Sequence, residues 1–533
     1  MLGASQSLRQ TNPPTLKKPA ASKTRPKRKR ADRGPPNSAK KKKDHKGWTT
    51  LAAGPELPAW ADHCVDVLQE YFQDATTKIG KNAVVNVWAD CCGMVTEMHA
   101  GNELMRALER FGVEWALKPY FICDTCKACR KFAEKNYAPL HTSTNMYDRN
   151  FEDGTFDCST CGFEHDIPTT GIDFYMCGFP CGPWSTRGLQ RGFEDADGDL
   201  GFQAIRTIKL MKPCFFGLEN VMGLDAPDSA DPDRSSGLET IMKVLEAQTD
   251  GLYQIVQIKK VEPTLAGFPV MRPRVFIMGA RADQSGSKAL RDVVEKVVRR
   301  PVPLTVNYRD FLGLNSTVNF ERLGNMMTDE EIQRKGAMGC SCGFNPLVIC
   351  IRHPCTCKAC THPRRGRACE WRCHHLHFID TRLAAAHGCS RDQLSEEYKD
   401  RLMYSDLPQC DDINSPRQRN LMNLLVCLPG MVQSLKAHQP VVADKGQKLQ
   451  RSSLLCTGAV PTLACNADMW SFPDAKGLSV MELAKLMGHD ASKYDLADTS
   501  LTAFRHMLGS SIHVGTLGLM MACLFATLGE ACR

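Results

Sequence analysis

An apolar run that leads into a tight turn occurs at residues 171–188, where the sequence is GIDFYMCGFPCGPWSTRG. The apolar residues suffice for one buried strand, and Gly178 and Pro180 end it. Cys181 follows directly. On a parallel α/β sheet this position is the carboxyl end of a strand, where functional side chains lie. The turn alone leaves two interpretations open, a reactive thiol or a small buried packing residue.

Similar apolar runs occur on both sides of this turn, with helix-like segments or loops between them. The strand candidates are residues 83–89, 118–124, 171–179, 213–221, 253–261 and 272–280, and the helix candidates are residues 60–72, 94–112, 125–137 and 477–490. Strands that alternate with helices predict an α/β fold with a doubly wound, mostly parallel sheet. The alternation stops near residue 300.

The composition is that of a globular protein, because 43% of the 533 residues are hydrophobic and 24% are charged. A wholly disordered or fibrous chain is excluded. The 26 cysteines are too sparse for a small disulfide scaffold. We therefore expect reduced, intracellular thiols that are available for catalysis or metal binding. The longest apolar run, Gly515–Gly529, is shorter than a membrane span, so we expect no membrane partner.

Positive charge is concentrated near the N-terminus. Between Arg9 and Lys46 there are fifteen lysines and arginines and two acidic residues, a local net charge of +13, and the other 52 basic and 57 acidic residues leave −5. Pro, Ser and Ala separate the charges without hydrophobic periodicity, which predicts a disordered tail. The clusters Arg25–Arg30 and Lys40–Lys43 are typical of a bipartite nuclear import signal, with a solubilising or phosphate-binding tail as alternatives.

Three motifs follow one another along the chain: GFPCGPWS at 178–185, FFGLENVMGL at 215–224 and GFPVMRPRVFIMGAR at 267–281. In order and spacing they resemble the DNA (cytosine-5)-methyltransferase family. The resemblance spans about residues 83–281 and resumes from about residue 477. It implies a class I, Rossmann-like fold that uses S-adenosylmethionine. The stretch between these two regions falls where that family keeps its variable target-recognition domain.

These observations predict five parts along the chain. They are a disordered basic tail at 1–50, a helical lead-in at 51–82, a catalytic domain at 83–300, an inserted target-recognition module at 301–475, and a C-terminal completion of the catalytic domain at 476–533.

The resemblance also implies roles for individual residues. Cys181 matches the catalytic cysteine, Glu219 matches the acid of the Glu-Asn-Val motif, and Arg272 and Arg274 match the Arg pair that grips the target base. The candidate cofactor-binding residues are Gly93 in the first-motif turn, Asp124 after the second strand, Asp148, and Gly509 and Ser511 in the closing motif. Glu482 lies in a segment similar to the family's Arg-Glu-x-x-Arg helix.

The chemistry of cytosine methylation needs these residue types. C5 is a poor nucleophile until a thiolate adds to C6, so the thiol of Cys181 has to lose its proton. A carboxyl group at N3, the role expected of Glu219, offsets the charge that builds on the ring. Arg274 is expected at O2, and Arg272 is expected to orient the cysteine and the backbone. The target base has to leave the duplex, because the stack hides C6.

Several positions depart from the family's motifs. Asp90 and Cys92 stand where the first motif has glycines that let the backbone approach the cofactor. Gly182 and Val270 replace glutamines, and Ser510 replaces the asparagine of the closing motif. None of these changes removes a residue to which we assign catalysis.

Cysteine and histidine are dense between Cys340 and His377. Cys357 and Cys360 form a close pair, and neighbouring residues could complete one or two tetrahedral zinc sites. The candidate ligands are Cys350, Cys355, Cys357, Cys360, Cys369 and Cys373. Interleaved arginines suit a loop that faces phosphate. A weaker zinc candidate combines the Cys126–Cys129 pair with the Cys158–Cys161 pair, with ordinary helix-face cysteines as the alternative.

Together these features predict a nuclear enzyme that transfers a methyl group from S-adenosylmethionine to C5 of cytosine in DNA. One alternative keeps the chemistry but has transfer RNA as the substrate. The other is a non-catalytic zinc and nucleic-acid-binding chromatin protein on a degenerate methyltransferase fold, which the altered first motif keeps open.

Overall fold

The computed structural model describes residues 56–185, 188, 190–227, 235–282, 290–315, 318–337, 375–410, 413, 415–447, 454–455 and 457–528. The described residues all belong to one compact unit of the chain. The predicted basic tail and most of the Cys/His-rich stretch lie outside the described residues, so the domain boundaries stay predictions.

The strands are short in most cases and are numbered along the chain. They are β1 Asn82–Asp90, β2 Glu114–Cys123, β3 His141–Ser143, β4 Thr155–Asp157, β5 Glu164–Asp166, β6 Phe174–Cys177, β7 Phe215–Val221, β8 Tyr253–Val261, β9 Val270–Met271, β10 Arg274–Arg281, β11 Val442–Asp444, β12 Leu454–Leu455, β13 Val460–Pro461, β14 Met469–Ser471 and β15 Lys476–Gly477.

The helices flank these strands, and seven of them lie among the described residues between β10 and β11. They are α1 Trp60–Val67, α2 Gln69–Ile79, α3 Thr96–Glu109, α4 Lys127–Tyr137, α5 Leu200–Met211, α6 Gly237–Thr249, α7 Leu290–Val298, α8 Tyr308–Leu312, α9 Asp329–Ala337, α10 Ala384–His387, α11 Arg391–Tyr398, α12 Pro416–Val426, α13 Met431–Lys436, α14 Val480–Leu486, α15 Leu501–Ser510 and α16 Val514–Phe525.

A seven-stranded sheet organises the first part of the described chain, in the order β3-β2-β1-β6-β7-β10-β8. The strands from β3 to β7 are parallel, and β10 runs antiparallel to both β7 and β8. Two parallel neighbours in a sheet have to be joined by a long crossover. Only a short turn and β9 join β8 to β10, which suits their antiparallel pairing. The predicted α/β class with a mostly parallel sheet is confirmed.

Each face of this sheet packs on its own apolar core. On β1, Val87 and Ala89 belong to one core, to which the fully buried α16 also contributes. Trp88 points to the opposite core, which includes Phe121 and residues of α5 and α6. Successive side chains of a strand alternate between faces, so a strand buried on both sides reads as a continuous apolar run.

A third apolar core gathers side chains from Val318 to Ala475, including Tyr404 and Trp470. Its strands form a small sheet in the order β12-β11-β14-β15. Strand β13 leaves this region and pairs in parallel with β9, Val460 opposite Val270. This pairing brings the region between residues 318 and 475 beside the strand that precedes Arg272.

The predicted helix at 60–72 is two helices, because α1 ends at Val67 and α2 begins at Gln69. The last part of the described chain forms two helices, α15 and α16. In the described part of the chain, no single helix is long and apolar enough to cross a membrane; the pair α15 and α16 meets the length and composition criteria together but is bent by 44°.

Candidate active site

The loop that carries Cys181 follows β6 at the carboxyl edge of the parallel strands. The side-chain amide of Asn220 donates to the carbonyl of Phe179 over 3.0 Å. The amides of Trp184 and Ser185 donate to the carbonyl of Cys181, at 3.1 and 2.8 Å. The loop is therefore bonded on both sides of the cysteine, and the Cys181 side chain is exposed.

Antiparallel pairing brings two further candidates together at this edge. Arg274, the first residue of β10, lies opposite Val221, the last residue of β7. Glu219 is two residues earlier on β7, so its side chain emerges on the same face as that of Val221. The Arg274 Nε atom lies 2.9 Å from Glu219 Oε1, and both side chains are about nine-tenths buried. Gly178 lies beside this pair, because a Cβ atom there would be in ordinary van der Waals contact with Glu219 Oε2, at 3.5 Å.

The charges around Cys181 act on its thiol in opposite directions. Although Cys181 is exposed at the surface, neighbouring protein groups keep part of the water from its sulfur, which raises the pKa of the thiol. The positive charge of Arg274 lowers this pKa, and the negative charge of Glu219 raises it. The net pKa lies above the ordinary value of a cysteine. Since the thiolate is the nucleophile, the charges of Arg274 and Glu219 affect the amount of reactive cysteine in opposite directions.

Arg272 is buried and bonds to backbone carbonyls. Its guanidinium donates to Leu463 over 2.7 Å, to Ser511 over 2.7 Å and to Gly509 over 3.4 Å. Burial lowers its pKa to about 9. These bonds run to the segment before β14 and to the closing motif. The expected role of Arg272 in orienting the cysteine and the backbone stays a prediction.

The candidate cofactor residues Gly93, Asp124 and Ser511 lie together at the ends of β1, β2 and α15. The Gly93 amide donates to Asp124 Oδ2 over 2.9 Å, and the Met94 amide donates to Ser511 Oγ over 3.1 Å. Burial raises the pKa of Asp124, although amides of Cys126 and Gly93 act against it. Gly93 has φ of +54°, and a Cβ atom there would lie 3.1 Å from Ser511 Oγ.

These residues fit the group that the sequence resemblance implies. Gly93 has no side chain, so it does not cover the backbone at the end of β1. Asp124 accepts from two amides, and a carboxylate has further acceptor sites. Ribose hydroxyls are donors of the kind that such a carboxylate accepts. Gly509 serves chain packing, because a Cβ atom there would lie 2.4 Å from the backbone of Ala464 and Cys465.

Asp90 and Cys92, which stand in place of glycines of the first motif, are both buried in the protein interior. Asp90 is 1% exposed and forms an ion pair with Arg149, whose Nη1 lies 2.7 Å from Asp90 Oδ2. The hydroxyl of Tyr175 also donates to Asp90 Oδ2, over 2.8 Å. Cys92 is buried in the apolar core that contains α16. Neither side chain therefore extends into the space above Gly93.

Other candidates lie apart from this cluster. Asp148 is exposed and accepts a hydrogen bond from Thr144, and the described part of the chain gives it none from Gly93. Glu482 is a helix cap, because its carboxylate accepts from the Ser479 amide over 2.6 Å and from Lys476 over 2.8 Å. The six candidate zinc ligands from Cys350 to Cys373 lie outside the described residues.

Some positioning contacts had no signal in the sequence. Arg149 and Tyr175 lie on separate segments, and nothing in their local pattern identifies Asp90 as their common partner. The contact with the carbonyl of Leu463 has no sequence signal either, because every residue has a backbone carbonyl. The Asn220 contact was partly foreseeable, because Asn220 belongs to the same motif as Glu219.

The described residues form the mostly parallel α/β sheet of the class I methyltransferase fold, with a cysteine, a glutamate and an arginine at the strand ends. The family model for C-5 cytosine-specific DNA methylases matches residues 130–520. Because this match covers more than half of the chain, the chain belongs to that family.

Similar proteins include the type II methyltransferases M.PspPI of Psychrobacter sp. (strain TA137), 40% identical over 112 residues, and M.NlaIV of Neisseria lactamica, 39% identical over 117 residues. These matches cover 21% and 22% of this chain, and 25% and 26% of the relatives. The chain therefore aligns with about a quarter of the length of these relatives.

Matches among solved structures include the Dnmt2 methyltransferase of S. pombe, with a TM-score of 0.37 and 13% identity, and a DNMT2 variant of Spodoptera frugiperda, with a TM-score of 0.36 and 12% identity. The matches cover 83% of this chain in both cases, and 98% and 99% of the respective structures.

The Asp90–Arg149 pair predicts a large stability effect. Arg149→Met should lower the free energy of unfolding by about 3–5 kcal/mol, because it leaves a buried carboxylate without its partner. Asp90→Leu/Arg149→Met should recover most of this loss. The measurement is urea denaturation followed by tryptophan fluorescence. Arg299→Met is the matched control in an exposed pair with Glu295, and an equal effect of the two single changes would contradict the prediction.

The Glu219–Arg274 pair predicts how the Cys181 thiol titrates. In Glu219→Gln the negative charge that raises the thiol pKa is gone, so the pKa should fall and alkylation of Cys181 by iodoacetamide should begin at lower pH. Peptide mass spectrometry across a pH series measures this at Cys181 alone. Glu295→Gln, which changes an exposed carboxylate, should leave the profile in place. A Glu219→Gln profile at higher pH than wild type would refute this account.

Proposed function

We propose that this protein transfers a methyl group from S-adenosylmethionine to C5 of cytosine in DNA. The observation that carries the proposal is the meeting of Glu219 and Arg274 at 2.9 Å beside the Cys181 loop. A nucleophile, an acid and a fixed cationic fork at one strand edge are what addition to a pyrimidine ring requires. Membership of the C-5 cytosine-specific DNA methylase family supports the choice of cytosine and of DNA.

Cys181 begins the reaction by giving up its thiol proton and forming a bond from Sγ to C6 of a cytosine that has left the duplex. Glu219 holds a proton at N3, and Arg274 donates to O2, so the charge that builds on the ring is offset. C5 then carries the electron pair of the former C5–C6 double bond. Once C5 has used that pair to bind the methyl group that the cofactor would supply, the C5 proton leaves to solvent. The C5–H electrons re-form the C5–C6 double bond, and the Cys181 thiolate departs.

S-adenosylmethionine supplies an electrophilic methyl group when bound. Gly93, Asp124 and Ser511 would hold it, with Asp124 accepting from the ribose. The exposed Cys181 and the partly buried Asp124 lie on loops that follow β6 and β2. Loops at the same carboxyl edge of a parallel sheet face a common crevice, which supports a base site and a cofactor site that adjoin.

We also propose roles for the parts of the chain outside the described residues. The clusters Arg25–Arg30 and Lys40–Lys43 form a nuclear import signal, supported by their compact pairing. The stretch from Cys350 to Cys373 binds zinc within a DNA-facing loop, supported by the density of its cysteines and arginines.

A covalent trap tests the catalytic assignment. The full chain with S-adenosylmethionine should form a denaturation-resistant adduct with DNA that contains 5-fluorocytosine, because fluorine at C5 cannot leave as a proton does. Gel shift and mass spectrometry should place the adduct on Cys181. Cys181→Ala should abolish it, and should lower methyl transfer by about three orders of magnitude or more. Glu219→Gln should lower methyl transfer by about 10²- to 10⁴-fold.

The controls for the trap separate the substrates. Cys465→Ala changes another partly exposed thiol and should leave the adduct intact. An adduct that survives Cys181→Ala would overturn the assignment of the nucleophile. Trapping on RNA in preference to DNA of the same sequence would overturn the choice of substrate.

Calorimetric titration with S-adenosylmethionine tests the cofactor residues. The wild-type chain should bind, and Asp124→Asn should weaken binding by about 10- to 100-fold, because a hydrogen bond to a charged group contributes about 1.5–3 kcal/mol. Asp498→Asn, which changes an exposed carboxylate, should bind as wild type does. A folded wild-type chain without affinity for S-adenosylmethionine would favour the non-catalytic chromatin protein instead.

A further inference from the structure

A hairpin outside the candidate active site carries a group of metal-ligating side chains. Strands β4 and β5 pair antiparallel, and the loop between them contains Cys158 and Cys161. His165 lies on β5, and His141 is the first residue of β3. The order along the chain is therefore one histidine, a Cys-x2-Cys pair and a second histidine.

Three of the side chains are close enough to share one ion, and the fourth adjoins them. The ligand atoms of His141, Cys158 and His165 all lie within 4.8 Å of one another. Cys158 Sγ is 3.6 Å from His141 Nδ1, and Cys161 Sγ is 2.9 Å from His165 Nε2. In a tetrahedral zinc site with sulfur and nitrogen ligands, neighbouring ligand atoms lie about 3.3–3.8 Å apart. The Cys161 side chain would have to move to complete the set.

Backbone hydrogen bonds close the loop that carries both cysteines. The Cys158 amide donates to the carbonyl of Phe163 over 2.9 Å, and the Gly162 amide donates to the carbonyl of Cys158 over 2.9 Å. Gly162 has φ of +77°, which allows the tight turn after Cys161. Both cysteines therefore lie within one closed turn of the hairpin.

Aromatic neighbours hold the two imidazoles in place. The ring of Phe156 lies 5.7 Å from that of His141 and 5.7 Å from that of His165, and the two imidazoles are 4.4 Å apart. Phe156 is itself fully buried. Two cysteines and two histidines in a pre-arranged group select zinc among the common divalent cations.

We propose that His141, Cys158, Cys161 and His165 bind one structural zinc ion. Binding releases the thiol protons and replaces the Cys161–His165 hydrogen bond with bonds from both atoms to the metal. With four protein ligands the ion has no open position, so the site stabilises the fold. The structure groups Cys158 with two histidines, whereas the sequence had suggested the Cys126–Cys129 pair as its partner.

The site fastens the hairpin to the edge of the large sheet. The Ser159 amide donates to the carbonyl of Thr142 over 2.7 Å, next to His141 on β3. Strand β3 is the edge strand, and unpaired edges need to be covered. The carbonyl of Ser143 accepts from the Asp124 amide, so the same edge supports the loop that carries Asp124.

Zinc content of the purified full chain, measured by elemental mass spectrometry, tests this proposal. Because a second zinc site is proposed between Cys350 and Cys373, the readout is a difference between variants. Cys161→Ser/His165→Ala should lower the content by one equivalent per chain. His165→Cys, which exchanges one zinc ligand for another, should keep it. Cobalt loaded in place of zinc should give a thiolate charge-transfer band that weakens in the double variant.

The matched control is Cys126→Ser/Cys129→Ser, the other Cys-x2-Cys pair, which should keep the full zinc content. Unchanged zinc in Cys161→Ser/His165→Ala would overturn the site, as would a Cys158–Cys161 disulfide in the chain purified without reductant. Loss of one equivalent in the Cys126 and Cys129 variant, with none in the Cys161 variant, would also overturn it. None of these readouts depends on methyl transfer.

Discussion

The arrangement of the site depends on the hydrogen bonds that the buried guanidinium of Arg272 donates. It joins the strand before Arg274 to Leu463 and to Ser511, residues that are far apart in sequence. These bonds are made to carbonyls, and burial lowers the pKa of the group to about 9. A buried cation without such partners would carry a large desolvation cost, so the three segments have to converge for the residue to be accommodated.

Convergence at Arg272 explains why the base side and the cofactor side of the site are linked. Ser511 accepts from Arg272 with its carbonyl and from the Met94 amide with its hydroxyl. Met94 follows Gly93, whose amide binds Asp124. Hydrogen bonds therefore link Arg272, two residues before Arg274, to the ends of β1 and β2. The closing segment after residue 500 is thus part of the site.

The altered first motif illustrates how tertiary contacts change the meaning of a substitution. In sequence, Asp90 and Cys92 look like obstacles to a cofactor, since they replace glycines. In the structure Asp90 is bound by Arg149 and Tyr175, and Cys92 is part of the apolar core. The glycine that remains is Gly93, which has a positive φ and lies close to Ser511. A side chain at this position would strain the backbone and crowd Ser511.

The sequence by itself determined the α/β class, the positions of the main strands and the turn that carries Cys181, because apolar periodicity and Gly-Pro signals are local. It also identified Cys181, Glu219, Arg272 and Arg274 as a set through their motifs. Tertiary structure alone decided that β10 runs antiparallel, which brings Arg274 to Glu219. It also decided that Arg149 binds Asp90 and that two histidines join Cys158. Such contacts join residues distant along the chain, so no local pattern specifies them.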